Sequence, residues 1–556
     1  MKNFFRDLIF YKDKEKHSFS LPEEEEKNAY IPEKTKKVFS SVSVNLDYIK
    51  TVYNIPTNSD VTVREFTLTA RGKEFAAFII YIEGMIDSSA ANDVVLKSLM
   101  MKNISNTDKS NVVSSAITNN ITVRKVKKFD LKDYILKSLI PGASIQDKTS
   151  FNELIQDINS GNCILFVDGL TSAFSIDIKG FPHRGISTPQ NEIVIQGSSE
   201  AFVEVLRVNT SILRRVVNNE NLVIENVSIG RISRTACAFA YIRTIANDAL
   251  IDEVRFRLNN LSIDYLISTG QLEQMIEDSS GVTVPQVIST ERPDKATTYL
   301  LEGRVVIIVN GNPYCLVVPG TFTDFLASPE DMNLRFQYSN MLKFVRLVAY
   351  FIALLLPGIY IAITNFHHEL IPTELLFAIA ASREAVPFPA IAEILIMEFS
   401  FELVREASLR IPSPIGSTLG IIGSLILGQA AVAANIISPI LIIVVAITGI
   451  SSFAMPNFSF GFNIRVLRFA YTILGAVLGF LGIGIGLFLN IAFLTSLTSF
   501  GVPYLAPYSP VTNNANPFFL LPIFKREKRA DFLNTKRVRK EEEISLDWRF
   551  KKNGET

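Results

Sequence analysis

The sequence predicts an α+β N-terminal soluble region of two related subdomains, followed by an all-α polytopic membrane domain. The first observation is the distribution of charge: residues 411–464 and 469–524 contain no charged residue and no histidine, and residues 347–364 are uncharged too. A bilayer-spanning helix needs about 20 mostly apolar residues. Each long stretch can therefore supply two membrane passages. The second observation is an internal repeat in the first half of the chain.

We divide the 556 residues into five parts by composition and charge. The first part is a charged arm that is poor in apolar residues, and we predict it to be disordered. The parts are the arm at 1–39, a first subdomain at 40–199, a second at 200–340, a membrane domain at 341–523 and a basic tail at 524–556.

The membrane domain is predicted to cross the bilayer four to six times. The four spans with the clearest apolar character are 347–364, 415–434, 437–456 and 467–489. Two further passages are predicted at 371–404 and 490–523.

Positive charges next to the spans predict the orientation of the chain. Lys343 and Arg346 precede the first span, Arg465 and Arg468 separate the two long uncharged stretches, and the tail is rich in lysine and arginine. Such residues concentrate in cytoplasmic loops, and Met1–Phe10 does not resemble a signal peptide. Both the N-terminal region and the tail are therefore expected to be cytosolic.

The soluble half matches itself when it is shifted by 160 positions without gaps. Both copies alternate apolar and polar residues as strands do, and both end with a strand between glycines, Gly161 to Gly169 and Gly303 to Gly311. The matched pairs include Val63 with Val223, Glu65 with Glu225, Arg71 with Arg231, and Tyr81-Ile82 with Tyr241-Ile242. We interpret this as duplication; one mixed domain with common βαβ patterns is the alternative.

Two related lobes resemble hinged domains that bind a small molecule between them, although a rigid scaffold for partner subunits fits the pattern equally well. Neutral overall charge, with 55 basic and 55 acidic residues, argues against nucleic-acid binding. The three cysteines have no paired spacing, and no phosphate loop, HExxH or GxSxG motif occurs. We therefore expect no enzymatic activity, no cofactor and no metal site.

The candidate functional segment lies at 383–410, within a broken stretch at 371–410. Pro387, Phe388 and Pro389 end any helix that continues from the residues before them.

Beyond the break, Glu398, Glu402, Arg405 and Glu406 fall on one side of a helix, while Glu393 falls on its apolar side. A broken helix followed by an acidic one is typical of pore-lining or gating segments. An interfacial helix on the cytosolic surface is the alternative.

Several motifs in order resemble one known family. They include Glu291-Arg292-Pro293-Asp294, Ser328-Pro329-Glu330-Asp331, His368-Glu369-Leu370-Ile371-Pro372-Thr373, Arg383-Glu384-Ala385-Val386-Pro387-Phe388-Pro389 and Gly428-Gln429-Ala430-Ala431-Val432. In these residues the chain resembles the A subunit of GerA-type spore germination receptors over about residues 40–510.

The resemblance implies a receptor subunit in the inner membrane of the spore, and the charge distribution described above then predicts that its N-terminal region lies on the spore-core side. It implies a multispan B subunit and a lipoprotein C subunit as partners. It also implies a response to small germinants such as amino acids, sugars or nucleosides, followed by ion release.

Three hypotheses for the chain's role follow. The first is a receptor subunit that forms or gates an ion path, assembled as a homo-oligomer through the membrane domain. The second is a secondary transporter, which repeat symmetry and about ten or more spans would support. The third is a non-conducting scaffold.

Overall fold

The computed structural model describes residues 19–23, 36–70, 73–87, 131–136, 144–180, 189, 192, 194–410, 426–512 and 518–540. The predicted disordered arm lies mostly outside these residues.

The first part of the α+β region is a five-stranded antiparallel sheet. Its strands have the spatial order β1-β2-β4-β5-β3. Its elements are α1 (Val42–Val52), β1 (Val61–Ala70), β2 (Lys73–Ile82), α2 (Leu131–Tyr134), β3 (Ser144–Lys148), α3 (Phe151–Asn159), β4 (Cys163–Val167) and β5 (Ala173–Asp177). Helices α1 and α3 cover one face, because their apolar residues at helical spacing pack against Phe78, Ile80 and Phe166.

The second part repeats this arrangement, with a five-stranded sheet of order β6-β7-β9-β10-β8. Helices α4 and α7 cover one of its faces, and α5 and α6 cover the other. Its elements are α4 (Leu206–Val216), β6 (Leu222–Ile229), β7 (Thr235–Ile242), α5 (Asp248–Asn259), α6 (Thr269–Ile276), β8 (Ile288–Thr290), α7 (Pro293–Glu302), β9 (Val305–Val309), β10 (Cys315–Val318) and α8 (Phe322–Phe325).

The predicted relationship between the two sheets extends to individual hydrogen bonds. Buried Asn45 accepts from the Phe39 N–H at 2.9 Å and donates to its carbonyl at 2.7 Å. Asn209 makes the same two bonds to Val203, at 2.8 and 2.6 Å. The two sheets therefore share their strand order and this pair of side-chain hydrogen bonds, as a duplication predicts.

The register of the first strand differs from the ungapped match. Ile82 pairs with Val61 and Ile242 pairs with Leu222, so the shift is 160 positions for the second strand but 161 for the first. Val63 therefore corresponds to Ile224 and Glu65 to Asn226. The predicted matches of Val63 with Val223 and of Glu65 with Glu225 are wrong. The second hairpin is one residue shorter, and a slip of one residue exchanges the two faces of a strand.

The two sheets are joined by a buried ion pair. Arg214 on α4 donates to both carboxylate oxygens of Asp60, at 2.8 and 2.7 Å, and to Asn58 at 2.8 Å. The Arg214 side chain is 2% exposed. A buried charge is tolerated when it is paired with an opposite charge, so this contact holds the first sheet against the second.

Helices make up the chain from residue 336 to residue 496, apart from connecting turns and residues that the structure does not describe. They include α9 (Phe336–Phe366), α10 (Thr373–Arg383), α11 (Ala390–Arg410), α12 (Pro439–Phe453) and α13 (Phe458–Ser496). Among the described residues, α9 and α13 are long and apolar enough to cross a membrane. The predicted span 347–364 lies within α9. The span predicted at 467–489 is wrong as a single passage, because it lies across Gly479, where α13 departs from helical geometry.

Helix α13 reverses direction at Gly479. This residue has φ 59° and ψ −142°, and Asn490 donates to the Tyr471 hydroxyl at 3.2 Å. In a straight helix these residues would be about 28 Å apart. The stretch is therefore a helical hairpin, and each arm is about as long as one predicted span.

The remaining predicted passages have mixed outcomes. The passage at 437–456 corresponds to the shorter apolar helix α12, and the span at 415–434 lies partly outside the described residues. The passage at 371–404 is split into α10 and α11. The prediction of a membrane passage at 490–523 is wrong, because α13 is followed by a two-stranded turn, β11 (Thr498–Ser499) with β12 (Val502–Pro503).

That turn packs against the second sheet. The Ser499 hydroxyl donates to the Gln286 carbonyl at 2.6 Å, the Phe322 N–H donates to the Tyr504 carbonyl at 2.8 Å, and Phe500 and Val502 are buried. The apolar residues of this stretch therefore enter a protein core.

Substitution of Gly479 by alanine is expected to destabilise the hairpin. Its backbone conformation is close to glycine-only, and an added Cβ would lie 3.2 Å from Phe366. Such strain costs about 1–3 kcal/mol. We expect a lower thermal unfolding midpoint for purified Gly479→Ala than for Gly484→Ala, whose Cβ has no close neighbour. Equal midpoints would contradict the reversal.

Candidate functional site

A cluster of charged side chains lies where α11 packs against α13. The carboxylate of Glu398 is 2.6 Å from the Arg468 guanidinium, and each side chain is 2% exposed. Glu402 is 3.1 Å from Arg468, 3.9 Å from Arg465, and also paired with Arg405. Two carboxylates and three guanidinium groups thus meet between two helices.

Helix geometry explains one half of this cluster. Glu398, Glu402 and Arg405 share a face because they are spaced by four and three residues, and Arg405 pairs with Glu402. Arg465 and Arg468 supply the other half from α13. The sequence alone predicts that these two arginines mark a membrane boundary, yet both are buried within a helix. Their spacing of three residues in an apolar stretch is the signal that points to a shared counter-ion.

Glu393 is separate from this cluster. Its side chain is fully buried, one oxygen accepts from the Ser438 N–H at 2.9 Å, and the other lies 3.5 Å from Arg383. Ser438 is the residue before α12. A carboxylate at a helix N-terminus is favoured by the helix dipole, so Glu393 joins α11 to the start of α12.

The predicted break at Pro387, Phe388 and Pro389 is present. Helix α10 ends at Arg383, α11 begins at Ala390, and the Pro389 carbonyl accepts from the Glu393 N–H at 3.2 Å. Phe388 is exposed. The break is about 12 Å along the helix from Glu398, so the structure does not bring these three residues into the charged cluster.

The first group of motif residues, at 291–294, binds residues 192–198, which lie in the segment that links the two sheets. Arg292 is fully buried and donates to the carbonyls of Glu192 and Ser198, at 3.0 and 2.8 Å. Asp294 pairs with Arg292, and Glu291 accepts from the Glu192 N–H at 2.8 Å. Pro293 is the first residue of α7, the position where proline costs least.

The second group connects the linker and the soluble region to α9. Glu330 accepts from the Ile195 N–H at 2.6 Å. Asp331 accepts two hydrogen bonds from Arg346 on α9, at 2.7 and 2.8 Å, and caps its own turn by accepting from the Ser328 N–H. A bidentate, charge-assisted pair is strong and directional. It therefore fixes the first turns of α9 to the soluble region.

The cysteines are small buried residues, as expected. Burial raises the pKa of Cys163 and of Cys237 to about 12, so both thiols stay protonated at neutral pH. Within the described residues, no three His, Cys, Asp or Glu side chains are grouped so as to hold a metal ion.

The chain is similar to known spore germination proteins. The family model of the Bacillus/Clostridium GerA spore germination protein matches residues 47–532. Spore germination protein KA of Bacillus subtilis is 36% identical over 90% of this chain and 88% of its own length. Spore germination protein GerLA of Bacillus cereus is 32% identical over 86% of this chain and 93% of its own length.

A similarity to a solved structure covers about half of the chain. It is the crystal structure of the N-terminal domain of the A subunit of the Bacillus megaterium spore germinant receptor GerK3. The sequence identity is 28%, the match covers 52% of this chain and 98% of that one, and the TM-score is 0.37.

Proposed function

The chain belongs to the Bacillus/Clostridium GerA spore germination protein family, and from this we propose that it is the A subunit of a membrane-bound germinant receptor. Helices α9 and α13 anchor it in the spore inner membrane, and α11 and α12 complete the membrane domain. The α+β region and the segment after α13 lie on the spore-core side. A B subunit and a lipoprotein C subunit assemble with it, and small germinants trigger the complex.

The cluster of Glu398, Glu402 and Arg468 is the observation that carries the proposed mechanism. Uncompensated charges at membrane depth are costly, by about 3 kcal/mol on insertion scales. Here that cost is offset by pairing between two separate helices, α11 and α13. A movement of α11 relative to α13 breaks the pairs with Arg468. Glu402 keeps Arg405 of its own helix as a partner, so the Glu398 carboxylate is left for a cation. We propose that this change gates an ion path.

Removal of the carboxylate charge tests the mechanism. Spores that carry Glu398→Gln with Glu402→Gln are expected to release cations at least several-fold more slowly after germinant addition, because no negative site forms. Glu406→Gln, an exposed position on the same helix, is the matched control. Receptor level is measured by immunoblot. Normal release kinetics in the double variant at normal receptor level would rule out a carboxylate-lined path.

A non-conducting scaffold is the second candidate. The observation in its favour is that Glu398 already has Arg468 as its partner, so the cluster is neutralised as a structural clamp would be. If the chain is a scaffold, the double variant Glu398→Gln, Arg468→Gln keeps normal cation release, because both charges of the pair are removed together. An ion path needs the carboxylate, so cation release from that double variant distinguishes the two functions.

A further inference from the structure

We propose that a cavity between α7, the first turns of α9 and the segment 518–540 binds a small phosphate-bearing anion. The cavity has a volume of about 220 Å³. Its wall combines three distant parts of the chain, represented by Glu302 on α7, Lys343 on α9, and Arg526 and Lys540 in the C-terminal segment. It is separate from the charged cluster between α11 and α13, and only the lipid source considered below rests on the proposed membrane location.

Several charged groups of the wall already have a partner of opposite sign. Arg304 lies 2.6 Å from Asp324, Lys295 lies 2.6 Å from Glu192, Asp294 lies 2.7 Å from Arg292, and Asp331 lies 2.7 Å from Arg346. Each of these pairs has no net charge, so the electrostatic potential in the cavity is set by the other charged residues of its wall.

The rest of the wall is basic. Lys343 is 6% exposed, and within the described residues its ammonium makes one hydrogen bond, to the Phe518 carbonyl at 3.0 Å, out of three that it can donate. Arg526 uses its Nε on the Leu521 carbonyl and one terminal nitrogen on the Met332 sulfur. Neither Lys343 nor Arg526 pairs with a carboxylate of the described residues, and the same holds for Lys540.

Glu302 is the one carboxylate of the wall without an ion pair among the described residues. Burial raises its pKa, and burial lowers the pKa of Lys540 and of Arg526. Three cations thus face one carboxylate in a partly dehydrated space. An anion that enters it offsets the desolvation of the cations.

The excess of two positive charges matches a phosphate monoester, which carries about −1.5 to −2 at neutral pH. The cavity volume is below the roughly 300–1,000 Å³ of pockets for drug-sized ligands, so the cavity suits a small charged group rather than a larger ligand. Leu520, Leu521 and Met332 form an apolar side of the wall. The phosphate therefore belongs either to a free small molecule or to a lipid headgroup at the cytosolic membrane surface, where basic pockets beside helices hold such groups.

Binding of inorganic phosphate to the full chain in detergent, measured by titration calorimetry, tests the site. Arg526→Gln is expected to weaken binding roughly tenfold or more, because hydrogen bonds to charged groups contribute about 1.5–3 kcal/mol. The neighbouring exposed Lys525→Gln makes the same change of net charge outside the cavity and is expected to leave binding within about twofold. Glu302→Gln is expected to tighten binding several-fold, a gain that misfolding cannot produce.

A second arm identifies the source of the phosphate. The full chain is reconstituted in nanodiscs that contain either phosphatidic acid or phosphatidylcholine, and retained lipid is measured by native mass spectrometry. Retention of phosphatidic acid that Arg526→Gln abolishes assigns the site to a lipid headgroup. Phosphate binding without such retention assigns it to a soluble phosphate. Absence of saturable binding in both arms, or equal effects of Arg526→Gln and Lys525→Gln, would overturn the proposal.

Discussion

Replacement of Arg468 by leucine is expected to be among the most damaging single changes in the helical region. The arginine is 2% exposed and lies within hydrogen-bonding distance of both Glu398 and Glu402. Loss of one partner from a buried ion pair leaves an uncompensated charge and costs about 3–5 kcal/mol. We expect a much lower thermal unfolding midpoint for the detergent-purified protein and a lower receptor level in membranes.

Arg465→Leu is the matched control on the same helix. Arg465 lies 3.9 Å from Glu402, and its Nε is bound to the Gly461 carbonyl, so its removal leaves Arg468 and Arg405 to neutralise the carboxylates. A smaller loss is expected. The double change Glu398→Gln, Arg468→Gln should recover part of the stability lost in Arg468→Leu, because it removes both charges. Equal losses for the two arginines, without recovery in the double variant, would mean that the cluster does not stabilise the helices.

The repeat in the soluble half was predictable because both copies place chain reversals at the same points. Gly161 and Gly303 follow corresponding helices, and both have positive φ, 90° and 101°. A left-handed residue after a helix favours glycine strongly enough to be visible in sequence. The one-residue difference between the hairpins was not predictable from an ungapped match, because a turn can absorb a deletion without any change in the alternation of its strands.

Hydropathy predicted the apolar helices but could not distinguish lipid from protein core. The stretch at 490–523 has no charge, yet Phe500, Val502 and Tyr504 are buried against the second sheet. Burial in protein and burial in a bilayer select the same residue types. Only the break in helical structure at residue 497 separates the two outcomes.

The candidate site was half predictable for a related reason. Periodicity within one helix placed Glu398, Glu402 and Arg405 on one face, because that relation is local. The contact of Glu398 with Arg468 joins residues far apart in sequence, and it depends on how α11 packs against α13. The sequence of one helix therefore does not show whether its charged side chains contact water, a bound ion or a charged residue of another helix.

Replacement of Asp331 by asparagine is the second change with a large expected effect, and it acts on the connection between the soluble region and α9. Asp331 is 3% exposed and accepts two hydrogen bonds from Arg346 while it caps its own turn. Asparagine keeps the shape but removes the charge, which leaves Arg346 buried without its carboxylate. A loss of about 3 kcal/mol or more is expected at this junction.

The readout is local, so the receptor need not unfold for the effect to appear. Hydrogen exchange of the full receptor in membranes should become faster at residues 326–333 and in the first turns of α9. Germinant-triggered cation release should become slower, because movement of the soluble region no longer reaches α9. Glu330→Gln is the matched control: Glu330 accepts only from the Ile195 N–H among the described contacts, and glutamine keeps that acceptor. Unchanged exchange in α9 of Asp331→Asn, or the same acceleration in Glu330→Gln, would show that this ion pair does not couple the two regions.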